Sequence, residues 1–315
     1  MMKEKIKIGI SSCLLGKLVR YDGSHKHDHY LTDTFGQFVE WVPVCPEVEY
    51  GLTVPREAMR LVGDPASPRL VTRKSGIDHT VGMLKWVRKR LKELGREELC
   101  GFIFKSRSPS SGIRGVKVYT SSGMPGRTGA GLFGGAFVQH FPMIPAEDDG
   151  RLHDPVLREN FIERVFVLKR WLDFLKEGGA MRSIVSFHTR HKLLIMAHSP
   201  KHNAMLGRLV AQGSTRKRLP EEYLTILMEG FKLIATVKKN TNVLMHCMGY
   251  FKKKISTDEK QELLEVINNY HKGLIPLVVP ITLINHYVRK YNESYLKDQY
   301  YLNSHPVDLM LRNHV

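Results

Sequence analysis

The stretch Lys5-Ile6-Lys7-Ile8-Gly9-Ile10-Ser11-Ser12-Cys13-Leu14-Leu15-Gly16 decides how the first half of this chain is read. It begins with apolar and polar residues in alternation, becomes wholly apolar by Ile10, and then breaks at two serines and a cysteine. That is the pattern of a strand running into a loop. The apolar run is too short and too interrupted for a secretory signal, so Met1–Gly16 is expected to be a leading strand and its turn. Outward from it, Trp41–Val44 and Leu70–Thr72 predict short strands, the first tempered by Pro43. Met83–Leu94 has apolar residues at helical spacing with Arg88, Lys89, Arg90 and Lys92 between them, which predicts an amphipathic helix. Cys100–Phe104 and Val116–Tyr119 predict two more strands. Strands separated by helices imply an α/β layer with a mostly parallel sheet and flanking helices. Glycine is dense over Gly123–Gly135 and predicts a tight loop, with Gly129 placed for close backbone approach to a ligand.

Pro145–Pro155 carries Glu147, Asp148, Asp149 and Gly150 and reads as a linker. Beyond it, helical periodicity dominates: Phe161–Leu175, Phe187–Gln212, Glu221–Val237, Val243–Lys253 and Asp258–Lys272 are all expected to be helices, with a capping box at Ser256 and Glu259. The expected organisation is an α/β domain over 1–145, a linker over 146–155 and an all-α domain over 156–315. A chain of 315 residues with 42% hydrophobic residues has the length and the core-forming material for two domains.

Forty-eight lysines and arginines against thirty-one acids give a net charge of +17. Residues 1–150 hold 22 basic and 16 acidic side chains, so +6 lies there and +11 in the remainder. An excess of this size favours a polyanionic partner, because each neutralised phosphate releases a counterion. Arg88-Lys89-Arg90 and Lys252-Lys253-Lys254 are candidate phosphate contacts, although such runs are also ordinary solvated helix faces. No run reaches the roughly 18–20 apolar residues of a membrane span. Four scattered cysteines do not make a disulfide framework, and a reducing, cytoplasmic setting is expected. Nothing in the sequence sets an oligomeric state.

Three segments follow expected strands and carry reactive groups: Ser11–Gly16, Cys45–Glu47 with Gly51 and Arg56, and Lys105–Gly112. Ligands gather at the carboxyl ends of strands in such sheets. Cys13 and Cys45, from separate loops, could bind a soft metal or a cluster, or one could be a nucleophile, but two isolated cysteines are more often small buried hydrophobes. Alternating His25, His27 and His29 could share one face and hold a metal, or form a polar loop near substrate. His188, His191, His198 and His202, interleaved with Arg190, Lys192 and Lys201, read as an anion-facing surface.

These segments resemble the 2-thiouracil desulfurase family, whose signature combines S-x-C-L-L-G with R-Y-D-G, here Arg20-Tyr21-Asp22-Gly23. It continues with C-P-E and G-L-x-x-P-R, here Cys45 to Arg56, and with S-P-S-C-G, here Ser108-Pro109-Ser110-Ser111-Gly112. The second half resembles the YbgA-type domain through Phe187–Lys192, Ala197–His202, Asn242–His246 and Gly249–Lys253. The fusion is similar to proteins described as tRNA 4-thiouridine desulfurases. The resemblance implies a 4Fe–4S cluster held by Cys13, Cys45 and a third ligand at position 111, with one iron open to a thiocarbonyl sulfur. It further implies Glu47 as proton carrier, Ser108 beside the substrate, and Asp22, Arg56 and Ser110 as substrate contacts. The helical half would hold thiolated RNA, most simply tRNA, with 4-thiouridine converted to uridine.

One residue departs from that pattern: Ser111 stands where the family has cysteine, and a hydroxyl is a hard, weakly acidic donor for iron. Three accounts fit. A serine oxygen or a rearranged Cys100 serves as ligand; the serine disables the site; or the cluster is lost and a nucleic-acid-binding fold remains. The same chemistry on free 2-thiouracil is a further alternative. Cys100, upstream of its strand, and Cys247 are expected to be core residues.

Overall fold

The computed structural model describes residues 5–120, 122–178, 181–212 and 218–314, so Met1–Glu4 of the leading segment lie outside it. The chain divides into two compact units, Met1–Asp154 and Pro155–Val315.

In the first unit, β1 (Ile6–Ser11) lies inside a parallel sheet because Ile6, Ile8 and Ile10 are fully buried. β2 (Val39–Val44) pairs with one side of it, placing Ile8 opposite Trp41. Pro43 is tolerated because β2 is an edge strand. After β2 come α1 (Pro46–Tyr50), β3 (Met59–Val62), β4 (Arg69–Thr72) and α2 (Thr80–Leu94). α2 turns Met83, Val87, Leu91 and Leu94 to the core, the spacing of one helical face. β5 (Gly101–Phe104) pairs with the other side of β1, and Gly9 is what permits it: a Cβ there would lie 2.1 Å from the Phe102 ring. Phe102 instead stacks on Phe104 at 4.1 Å, within a cluster completed by Phe133 and Phe137.

β6 (Val116–Tyr119), β7 (Pro125–Gly129), α3 (Leu132–His140) and β8 (Ala146–Asp148) complete the unit. The parallel sheet has the order β2-β1-β5-β8. A second sheet, β4-β3-β6-β7, consists of two antiparallel pairs joined by parallel β3 and β6, which the sequence reading had not separated. Two expectations are corrected here. Residues 146–148 are not linker but the fourth parallel strand, with Phe104 opposite Asp148. The glycine-rich stretch is largely strand and helix, and Gly129 pairs opposite Val116 in β7.

The second unit is helical among its described residues: α4 (Pro155–Lys176), α5 (Met181–His198), α6 (Pro200–Ala211), α7 (Leu219–Phe231), α8 (Val237–Gly249), α9 (Thr257–His271), α10 (Val278–Lys290) and α11 (Ser294–Lys297). The single helix expected over Phe187–Gln212 is two, because Pro200 takes the first position of α6 and the Ser199 side chain accepts the His202 amide as its cap. The capping box at Ser256 and Glu259 starts α9. Trp171 stacks on Tyr223 at 5.2 Å in the core. Among the described residues, no helix is long and apolar enough to cross a membrane.

Candidate active site

The carboxyl ends of β1, β2 and β5 deliver their loops to one cavity of about 320 Å³. Ser11, Cys13, Cys45, Glu47, Ser108 and Ser111 are among its lining residues. Cys13 sits on a short 3-10 turn just after β1 and is buried. Burial pushes its thiol up to about 11, against the nearby positive charge of Lys105. Cys45 occupies the N-cap of α1, and burial together with the Glu47 charge pushes its thiol up to about 12. All four cysteines are free.

Glu47 is the hub of this cavity. Its Oε1 accepts the Ser110 hydroxyl at 2.5 Å, while Oε2 lies 3.6 Å from the Cys45 sulfur and 3.8 Å from the Arg56 guanidinium. Arg56 is itself held by donating to the Val19 carbonyl at 2.9 Å. Ser110 and Ser108 hydroxyls are 3.1 Å apart, so Glu47, Ser110 and Ser108 form one hydrogen-bonded row. Ser110 is fully buried and does not line the cavity; it is a link between Glu47 and Ser108, which corrects its expected role as a substrate contact. The Ser108 hydroxyl accepts the Ser111 amide at 3.2 Å, and the Ser111 hydroxyl has no hydrogen-bond partner among the described residues.

Sequence reasoning missed the brace behind the loop. The Lys105 ammonium donates to Asp149 at 2.7 Å and to Ser106 at 2.9 Å, and the Ser106 amide donates to Asp149 at 2.7 Å. The Lys105 amide also donates to the Ser11 hydroxyl, tying the β5 loop to the end of β1. Burial would raise the Asp149 carboxyl, but the Lys105 and Ser106 hydrogen bonds outweigh it and hold the carboxyl below its ordinary value. Glu147 is likewise buried, between Arg114 at 3.0 Å and Arg151 at 3.1 Å. Asp149, within the stretch expected to be a linker, thus braces the loop after β5.

Other expected residues fall elsewhere. Asp22 is exposed, bonds to Ser24, and does not line the cavity; neither does Gly129. Cys100 donates its amide to Lys7, at the amino end of β5 away from the loops, and Cys247 is wholly buried in α8. Arg88 and Lys89 are exposed on α2, but Arg90 pairs with Glu49 and Glu93, each at 3.1 Å, and is not available as a phosphate contact. Arg190, Lys192, Lys201, Lys252 and Lys253 are exposed.

Three of the histidines interleaved with Arg190, Lys192 and Lys201 are not surface groups. His188, His191 and His198 are buried, which corrects their expected place on an anion-facing surface; the basic residues beside them are exposed. His188 meets the Tyr223 hydroxyl at 3.0 Å, and burial pushes it down to about 4; His305 is pushed down to about 4 by the same cause, and His191 well below its ordinary value. Because these rings bind protons more weakly folded than unfolded, their contribution is complete above pH 6.5 and is lost toward pH 4. Glu159, raised to about 7 by burial and by Glu163, works in the opposite sense between about 4 and 7. The three histidines outnumber it. Melting of the full chain, followed through buried Trp171 with Trp41 and Trp86 changed to phenylalanine, should therefore show a helical unit that weakens steadily below pH 6.5. A flat profile from pH 7 to 5 would contradict the buried neutral rings.

Residues 8–149 match the family model for 2-thiouracil desulfurase, and residues 192–306 match the one described as a protein of unknown function (DUF1722). The uncharacterized protein YbgA of Escherichia coli (strain K12) is 34% identical over 154 residues, 48% of this chain and 90% of YbgA. A solved structure of the [4Fe-4S]-dependent thiouracil desulfidase TudS is 28% identical, covers 48% of this chain and 95% of that one, and has a TM-score of 0.39. The chain is a fusion of a desulfurase-type α/β domain with a helical DUF1722 domain. It belongs to the YbgA family, and the domain ahead of its helical part is a 2-thiouracil desulfurase domain.

Proposed function

We propose that this protein replaces sulfur by oxygen on a thiolated pyrimidine in RNA, with 4-thiouridine in tRNA as the expected substrate and a 4Fe–4S cluster as cofactor. The observation that carries the reading is the shared cavity: two thiols from separate strand ends, an unpartnered hydroxyl at Ser111, and a carboxylate within reach of one thiol. The donor set fits a cluster at Cys13 and Cys45 and supplies oxygen in place of sulfur at Ser111. Both thiols are protonated near neutral pH, so loading must release protons. A bound cluster supplies a soft iron that withdraws electron density from a carbon–sulfur bond.

The remaining work belongs to the chain. The overall change takes a thiocarbonyl and water to a carbonyl and hydrogen sulfide, with no electrons gained or lost. Glu47 is placed to hold the proton that water gives up and to return it to departing sulfur, and Ser110 can pass it to a group at Ser108 through a single hydroxyl. The base must leave its stack to enter a cavity this size, at a cost of a few kcal/mol. The +11 of the second half and its exposed Arg190, Lys192, Lys201, Lys252 and Lys253 suit the phosphates of the surrounding RNA.

Ser111 supports a second reading, a nucleic-acid-binding protein without a cluster. Anaerobic reconstitution with iron and sulfide, followed by nucleoside analysis of thiolated tRNA, decides between them when run on the natural chain and on Ser111→Cys. The expected result is loss of 4-thiouridine with a matching gain of uridine. Iron-loaded protein that leaves 4-thiouridine undiminished overturns the proposal. A natural chain that stays colourless beside a brown, active Ser111→Cys variant identifies the hydroxyl as the missing ligand. Activity on free 2-thiouracil without competition by tRNA at moderate salt would move the substrate to the free base.

A further inference from the structure

His27, His29 and Asp33 lie beside the turn that carries Cys13, yet none of them lines the cysteine-bearing cavity. We propose that these three side chains form a separate binding site for a divalent transition-metal cation of the zinc type.

The local backbone explains why they meet. His27 and His29 lie two residues apart with their rings 4.3 Å apart, and His29 already has the helical backbone that leads into the next turn. The wide helical turn Tyr30–Thr34 then brings Asp33 back beneath His29, with Nδ1 and Oδ2 at 3.1 Å. One nitrogen from each ring and one Asp33 oxygen all fall within 4.8 Å of one another. Donors around a tetrahedral zinc, each about 2.0–2.2 Å from the metal, are spaced about 3.4 Å apart. Exposed side chains need shift only about 1 Å to close on such an ion. Two imidazoles and one carboxylate select a borderline cation over magnesium or calcium, which take oxygen donors. Thr32 sits within the group, meeting the His27 Nε2 at 3.0 Å and donating to the other Asp33 oxygen at 2.7 Å, which holds the carboxylate in place. All three ligands are exposed, so water completes the coordination.

The position gives the site a consequence. The Lys26 amide donates to the Cys13 carbonyl at 2.9 Å and the Asp28 amide to the Leu14 carbonyl at 3.0 Å. His27 also packs over Gly16, where a Cβ would lie 3.7 Å from its ring. A cation held by His27, His29 and Asp33 therefore restrains the segment hydrogen-bonded to the Cys13 turn, without sharing a ligand with it.

Cobalt(II) titrated anaerobically into the cluster-free full chain tests this. The expected result is one equivalent bound with nitrogen and oxygen ligands, showing no thiolate-to-cobalt charge-transfer band. Affinity should fall at least tenfold in His27→Ala and in His29→Ala and be unchanged in Cys45→Ser. Three outcomes overturn the proposal: no stoichiometric binding, binding that carries the thiolate band and disappears with Cys45→Ser, or an equal loss in His25→Ala, which would mark an unspecific histidine-rich loop. The three histidines are on the surface, so none of the variants threatens the fold.

Discussion

Arg312→Ala should destabilise the helical unit by about 3–5 kcal/mol, the range for removing one partner from a buried ion pair. Arg312 is buried; its side chain donates to the Glu163 carboxylate at 2.7 Å and to the Tyr301 carbonyl at 2.6 Å. Its amide donates to Glu159 at 3.0 Å, with the backbone at a φ of 63°. Glu163 is 3% exposed, and the His198 ring lies against its other oxygen at 2.8 Å. The second His198 nitrogen faces the Leu233 carbonyl at 2.7 Å. Burial would raise the Glu163 carboxyl, but the His198 hydrogen bond and the Arg312 charge hold it well below the usual carboxylate range.

Without Arg312, Glu163 is left with the His198 ring and Glu159 with the His314 ring at 3.7 Å, beside a cavity of about 340 Å³, and the side-chain tie to the Tyr301 carbonyl is lost. Denaturant unfolding followed through Trp171, in the Trp41→Phe, Trp86→Phe background, gives the loss for this unit. A change under about 1 kcal/mol would mean that the group is solvated enough to dispense with its cation. Arg312→Lys should recover part of the loss, since it restores a charge but cannot reach Glu163 and the Tyr301 carbonyl together.

The strand ends were legible because the information is local. Alternation in Lys5–Ile10 and the serines and cysteine after it announce a strand entering a loop, and parallel pairing brings Cys13, Cys45 and Ser108 to the same end. Asp149 was not legible. Adjacent acids followed by glycine look solvated, and only pairing with Lys105 and Arg114, distant in sequence, together with nearby Arg151, makes their burial affordable. β4 and β6 were expected as strands, but the second sheet was not: a four-residue run says nothing about which neighbour it pairs with, and β3 is too short for a period to declare itself. Residues 184, 188, 191, 195 and 198 did carry a usable signal. Ile184, His188, His191, Ile195 and His198 follow the three- and four-residue steps of a helical face, and all are buried. Reading the histidines with the lysines beside them, and not with the isoleucines a turn away, put them on the wrong face.

Glu47→Gln should lower the rate of 4-thiouridine loss by at least about 100-fold while leaving iron content unchanged, since a positioned acid–base group is worth about 10²–10⁴. The substitution keeps the volume and the oxygen that accepts from Ser110. It places an amide where Oε2 now faces both the Cys45 sulfur and Arg56, so a donor meets the guanidinium in place of the carboxylate. The group that could take a proton from water is gone, while both thiols remain. Ser110→Ala separates the two halves of the idea: it leaves Glu47 ionisable but cuts the row to Ser108, and should cost less than Glu47→Gln. Rates are best taken in single turnover, in whichever of the natural and Ser111→Cys chains retains iron, with melting temperature as the control for folding. If Glu47→Gln keeps its rate within tenfold, the proton reaches sulfur by another route, and the Glu47–Ser110–Ser108 row is a structural tie between the β2 and β5 loops. If Ser110→Ala is as slow as Glu47→Gln, the hydroxyl is an obligatory carrier, and Ser108 becomes the residue that delivers the proton to the base.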